Sequence, residues 1–142
     1  MANMMELTND ELIARAASVV NPRKVGAYLV GDVGAALITD QNNVYVGACI
    51  DSGSGMGFCA EHSAIGAMVT AGEFRIKKIV AVWKDRTDTY VLAPCGRCRE
   101  FMRQIHPANI DTEVILDRNE VLRLSELLPM PGRFQKVKPA TD

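Results

Sequence analysis

A chain of 142 residues, 48% hydrophobic and 23% charged, suits one domain around a single core and carries no biased tract. Its formal net charge of -1 argues against the broadly basic face that nucleic-acid binding usually needs. No apolar run approaches the roughly 20 residues of a membrane-spanning helix, and Met1 to Asn9 lacks the charged start and apolar centre of a secretory signal, so the expected setting is cytoplasmic, with reduced thiols.

In chain order, Thr8-Asn9-Asp10-Glu11 has the form of a capping box, in which hydroxyl and carboxylate each satisfy an orphan amide. Leu12, Ile13, Ala16, Ala17 and Val20 then share one helical face, and Asn21-Pro22 stops the helix. Residues 25–31 are apolar and glycine-flanked and are assigned to no element. Residues 33–39 and 44–50 read as two strands of a hairpin, joined by the turn-tolerant Asp40-Gln41-Asn42-Asn43. A helix is expected over 59–71, its small residues (Ala60, Ala64, Ala67, Ala71) allowing close approach to a sheet, with Gly72 as its stop. Residues 78–83 form a buried strand and 90–93 a brief extended piece. Pro94 opens a helix that carries Cys95, Cys98, Phe101, Met102 and Ile105 and ends before Pro107. Strands over 113–116 and 121–124 and a helical turn over 125–128 complete one α/β layered domain, 1–142, with a mixed sheet.

The chemistry concentrates in the cysteines: Cys49, Cys59, Cys95 and Cys98. Cys95 and Cys98, three positions apart behind Pro94, are by themselves either a redox pair or half of a metal site. A reducing setting makes metal the first reading. Cys59 brings the soft donors to three, and catalytic zinc generally takes three protein ligands and keeps a fourth position for water. Thiolates at helix N-termini are stabilised by exposed amides and the helix dipole. Glu61, two residues past Cys59, is placed to move a proton at that water without being a ligand. The residues alone leave two alternatives open: a structural zinc knob completed by His62, His106 or Cys49, and a chain without metal.

Cys59-Ala60-Glu61 followed by Pro94-Cys95-Gly96-Arg97-Cys98 resembles the Cys-x-Glu branch of the cytidine deaminase family. Val33-Gly34-Ala35-Ala36-Leu37, Val46-Gly47-Ala48 and Glu126-Leu127-Leu128-Pro129 agree, so the resemblance runs from about Val33 to Pro129. It implies a three-layer α/β/α fold on a central mixed five-stranded sheet. It also implies Zn²⁺ on Cys59, Cys95 and Cys98, with Glu61 shuttling protons while zinc hydroxide attacks the amine-bearing ring carbon of a cytosine-type nucleoside or base. The Ala60 and Cys95 to Gly96 backbone would hold the base edge, and the assembly would be a homotetramer, with a dimer as the alternative.

Several positions depart from the family pattern. The aromatic usual two residues before the Val-Gly-Ala-Ala strand is Gly31 here, and the Asn-x-Glu pair that holds ribose is replaced by Cys49 and Asp51. Both remain substrate-binding candidates, as does Phe134, which would stack on a neighbouring subunit's base. Tetrameric members often carry an arginine directly after the glutamate, where this chain has His62, so Arg97 becomes the expected cation offsetting the thiolate charge. Cys-Ala-Glu, Pro-Cys-Gly-Arg-Cys-Arg and Ile105-His106-Pro107 are shared with blasticidin S deaminases. A blasticidin S deaminase, or a deaminase of another aminopyrimidine-type heterocycle, is therefore the alternative to a cytidine or deoxycytidine deaminase. An idle zinc-stabilised binding module is less consistent with an intact Glu61, and polynucleotide editing with so few aromatics.

Overall fold

Alternating side chains on one long central strand divide the molecule into two apolar layers. The computed structural model describes residues 7–140, so Met1 to Glu6, on which most of the signal-peptide reading rests, lie outside the described residues. In order come α1 (Asn9–Ala17), β1 (Arg23–Val25), β2 (Tyr28–Thr39), β3 (Val44–Ile50), α2 (Ala60–Thr70), β4 (Ile76–Lys84) and β5 (Thr89–Leu92). They are followed by α3 (Gly96–Ile105), a 3₁₀ turn (Pro107–Asp111), β6 (Glu113–Asp117), β7 (Glu120–Arg123) and α4 (Leu124–Leu127).

β2 is that strand. Its Ala35 and Leu37, with Ile79 and Ala81 of β4 and Val114 of β6, pack beneath Ile65 and Met68 of α2, Met102 of α3 and Leu124 of α4. The intervening Ala36, Ile38, Val80, Val82 and Ile115 meet Leu12 and Ala16 of α1 on the other face. A strand period of two thus produces three layers, α1 on one side and α2, α3 and α4 on the other. The capping box of α1 forms as the sequence predicts, with Glu11 N donating to Thr8 Oγ1 at 3.1 Å and Thr8 N to Glu11 Oε2 at 2.8 Å.

β2 pairs antiparallel with β1, β3 and β4; β4 adds β5 antiparallel and β6 parallel, and β7 closes antiparallel on β6. The mixed sheet therefore has seven strands instead of the expected five. The two extra strands are β1 and β5. β1 is three residues long and exposed throughout, so no alternation betrays it; Gly26, at φ +60°, lets Val25 turn back onto Tyr28. β5, expected only as an extended piece, is held to β4 in part by Tyr90 stacked on Trp83 at 5.1 Å.

Gly47 on β3 sets the seat of α2. A Cβ there would lie 2.4 Å from Ala64 N and 2.5 Å from Ser63 Cβ, so only glycine permits this approach. Ser63 Oγ reinforces it by donating to the Ala48 carbonyl at 2.7 Å. The far end of α2 is tied down by Glu73, 7% exposed, which accepts from Tyr45 Oη, from Thr39 Oγ1 at 2.7 Å and from Asn43 Nδ2 at 3.0 Å. The Tyr45 hydrogen bond, helped by Thr39 and Asn43 and opposed by burial, holds the Glu73 carboxyl below its ordinary value. A depressed carboxyl stabilises the fold above the unfolded glutamate pKa of about 4.3, and this contribution disappears as pH falls through the lower folded value. Thermal unfolding of wild type and Glu73→Gln should therefore differ most near neutral pH and converge in acid.

Candidate active site

Two helix starts bring the cysteines together. Cys59 is the N-cap of α2 (φ -69°, ψ 159°) and Cys95 that of α3 (φ -66°, ψ 166°). Cys98, fully buried, lies one turn into α3. The helices expected to open at Cys59 and Pro94 thus begin at Ala60 and Gly96, because the backbone at Cys59 and Cys95 is extended. The Cys59 and Cys95 sulfurs are 3.5 Å apart and those of Cys95 and Cys98 3.3 Å, while no disulfide forms. All three sulfurs lie within 4.8 Å of one another, a soft donor set that fits three corners of a zinc tetrahedron.

The electrostatics ask for a cation. Burial pushes the Cys98 thiol far up, with Glu61 and the other thiols adding to it. Burial and the Cys95 hydrogen bond push Cys59 up to about 11. Burial also raises Cys95, but its hydrogen bonds from the Cys98 backbone amide and the two neighbouring thiols outweigh that and leave it below its ordinary value. One thiolate is accessible and the next two are opposed; a divalent ion reverses this by supplying the charge that holds all three deprotonated.

Among the described residues no fourth protein donor joins the cluster. His62 Nδ1 is 3.5 Å from Cys98 Sγ, its ring stacked on Phe101 at 4.2 Å, and it does not reach the other two sulfurs as closely as they reach each other. Burial, with a further push from Arg97, lowers its pKa. His106 Nδ1 accepts from Ala108 N at 3.1 Å and so caps the 3₁₀ turn. Cys49 is occupied elsewhere: its thiol donates to Asp32 Oδ1 at 2.7 Å.

Glu61, one residue into α2 and 5% exposed, lines the same cavity of about 450 Å³ as Cys59 and Cys95. Burial raises its carboxyl pKa, the direction a proton-transfer group working near neutral pH requires. Of the other expected site residues, Cys49, Asp51, Ala60 and Arg97 also line this cavity. Arg97 Nη1 donates to the Gly57 carbonyl at 3.3 Å, while the side chain beside Cys98 is the His62 imidazole. Phe134 is fully exposed and does not line its own chain's cavity.

Two residues were not singled out as site residues from sequence. Asp32 lines the cavity, yet no spacing pattern marks it. Arg99 was visible only as the end of Pro-Cys-Gly-Arg-Cys-Arg; its Nε donates to the Pro94 carbonyl at 2.8 Å and its Nη1 to the Leu127 carbonyl at 3.1 Å. It fastens the turn that presents Cys95 to the end of α4. Arg99→Ala should weaken zinc binding about 10- to 100-fold in chelator competition, as loss of a group that orients a metal ligand does, with Arg99→Lys restoring part.

The cytidine and deoxycytidylate deaminase zinc-binding region matches residues 7–113. A cytidine deaminase from Halalkalibacterium halodurans is 36% identical over 103 residues, covering 68% of this chain and 74% of that protein. A blasticidin-S deaminase from Bacillus cereus is 34% identical over 107 residues, covering 69% and 74% respectively. The crystal structure of a cytidine deaminase from Burkholderia pseudomallei superposes with a TM-score of 0.71 at 27% identity, over 89% of this chain and all of that one. That from Mycobacterium tuberculosis, at 23% identity, shares the fold with a TM-score of 0.72 over 91% of this chain. With three converging thiols and a cavity beside them, the chain belongs to the cytidine and deoxycytidylate deaminase family of zinc-dependent hydrolases acting on carbon–nitrogen bonds.

Proposed function

We propose that this protein hydrolytically deaminates a cytosine-type nucleoside or base, with Glu61 as the proton-transfer residue and Cys59, Cys95 and Cys98 as the ligands of Zn²⁺. The observation that carries the reading is Glu61, 5% exposed, lining the same cavity as Cys59 and Cys95 of the three converging thiols. When bound, zinc acts as a Lewis acid that makes water nucleophilic near neutral pH. Glu61 would accept the first proton of the water and pass it to the ring nitrogen, then take the second from the hydroxyl newly bonded to carbon and deliver it to the departing amine. Its burial raises its proton affinity, the direction that taking and giving protons near neutral pH requires. One water adds, a carbon–oxygen bond forms, the carbon–nitrogen bond breaks and ammonia leaves. The Ala60 backbone lines the cavity beside Glu61 and supplies polar groups for the base edge.

Arg97 lines the same cavity and provides a cation near the thiolates, with His62 the group in contact with Cys98. The reading includes a cytoplasmic setting, where thiols stay reduced, and a homotetramer in which Phe134 reaches a neighbouring subunit's cavity. The exposure of Phe134 supports that placement; light scattering that gives a tetramer mass supports it further, and a monomer removes it.

A second reading, a blasticidin-S deaminase, is favoured by the Bacillus cereus relative and by Cys49 and Asp51 standing where cytidine deaminases hold ribose. The test is ammonia release from cytidine, deoxycytidine, cytosine, isocytosine and blasticidin S by zinc-loaded protein. Release from any of the first three supports the primary reading, and release from blasticidin S alone selects the second. Silence on all five sinks both.

A further inference from the structure

One wall of the substrate cavity is a short flap between β3 and α2. It runs Asp51-Ser52-Gly53-Ser54-Gly55-Met56-Gly57, and Asp51, Ser52, Gly55 and Gly57 line the cavity that holds Glu61. Its base is pinched shut: Ile50 N donates to the Phe58 carbonyl at 3.0 Å and Phe58 N to the Ile50 carbonyl at 2.9 Å. At its tip Met56 N closes a tight turn on the Gly53 carbonyl at 3.2 Å, with both central residues left-handed, Ser54 at φ 59° and Gly55 at φ +68°. Three glycines and a left-handed serine leave this segment little stiffness of its own, and Met56 at the tip is 77% exposed.

Two contacts steady the flap from outside. The Tyr28 hydroxyl packs on Gly53, 2.7 Å from where a Cβ would stand. The other contact is Arg97, whose Nη1 donates to the Gly57 carbonyl at 3.3 Å; among the described residues no other side chain hydrogen-bonds residues 52–57. Gly57 is crowded into place, since a Cβ there would lie 2.3 Å from the Ile50 carbonyl oxygen and 2.8 Å from Ser52 N. Arg97 stands in the first turn of α3, between the Cys95 N-cap and the buried Cys98. Arg99 ties that turn to the Pro94 and Leu127 carbonyls, so the guanidinium reaches the flap from a fixed base.

Where the strap attaches decides what it acts on. Phe58, bonded both ways to Ile50, separates Gly57 from Cys59, so slack at Gly57 stops at that bridge and does not reach the metal ligand. Slack in residues 51–57 instead adds open conformations that a substrate must order as it binds. Resting on the deaminase reading above, we infer that Arg97 is the positioning residue that straps the flap to α3 as a wall of the substrate cavity, through its N–H on the Gly57 carbonyl. This role serves substrate affinity and is separate from any effect of its charge on the thiolates.

The test uses zinc-saturated wild type, Arg97→Met, which removes the donor, and Arg97→Lys, which keeps a donor of nearly the same reach. On whichever of the five compounds releases ammonia, Arg97→Met should raise KM about 3- to 10-fold, the worth of one hydrogen bond, with a smaller change in kcat. Hydrogen exchange in the 51–58 peptide should quicken by a similar factor, and Arg97→Lys should recover part of both changes. Zinc affinity by chelator competition should stay within about 3-fold of wild type, because the Ile50–Phe58 bridge shields Cys59. Unchanged KM and flap exchange in Arg97→Met overturn the strap, as does a fall in kcat and zinc affinity with exchange unmoved, the signature of a purely electrostatic role. If no compound is turned over, the deaminase reading fails and exchange alone decides: faster exchange in Arg97→Met with recovery in Arg97→Lys upholds the strap, and equal rates in all three proteins overturn it.

Discussion

Glu61→Gln is expected to lower kcat by about 10³-fold or more while the protein keeps its zinc, its fold and much of its substrate affinity. A positioned proton-transfer group typically contributes 10²- to 10⁴-fold, and here one side chain serves several transfers in sequence, which places the loss at the upper end. Glutamine matches glutamate in volume, so the cavity and the start of α2 should persist. The amide can neither accept the first proton nor return it. Steady-state ammonia release gives kcat, metal content by atomic absorption gives zinc occupancy, and circular dichroism reports the fold. Full turnover in a zinc-loaded Glu61→Gln protein would move the proton transfer to another group. Loss of zinc with activity would mean that Glu61 supports the metal site structurally.

Removing the metal should have an effect of similar size by a different route. Chelation is expected to bring turnover below about 1% and stoichiometric zinc to restore it, since no other Lewis acid is at hand. A tightly bound ion also stabilises the native state by about 4 kcal/mol when present at a thousand times its dissociation constant, so the melting temperature should fall on chelation. Cys98→Ser tests the ligand assignment most directly, because Cys98 is fully buried at the join of α2 and α3. Its zinc affinity should drop by more than about 100-fold, beyond the cost of losing a group that only orients a ligand. Cys49→Ser should keep its zinc, because that thiol is engaged with Asp32. Equal zinc loss in both would point to a four-cysteine structural site instead.

Much of this was legible in one dimension because the determinants are local. A capping box, a strand period of two and a helix stop at Gly72 act over a few residues, and the elements form where they predict, although α1 ends at Ala17, short of the Asn21-Pro22 stop, and β2 begins at Tyr28, five residues before the expected strand. The donor set was legible too, since Cys59, Cys95 and Cys98 are rare residues at short spacing, and Glu61 lies within reach of the first. β1 was not, having three exposed residues and no alternation. Nor was β5 clear as a strand, because four residues form one only once Trp83 and its neighbours offer an edge.

By itself, the sequence made zinc the first reading, through three soft donors and one carboxylate each beside a helix start, and the likeness of those motifs to the deaminase family supplied the reaction. Only the tertiary structure decided which groups line the cavity. The bulge at residues 31–33 turns Asp32 into the cavity beside Asp51, and Arg99, held on the Pro94 carbonyl, reaches the Leu127 carbonyl 28 residues further along the chain. Arg97 is drawn to the Gly57 carbonyl while His62 takes the place against Cys98. Each of these contacts depends on how strands register and helices seat, a property of the packed molecule that spacing along the chain does not encode.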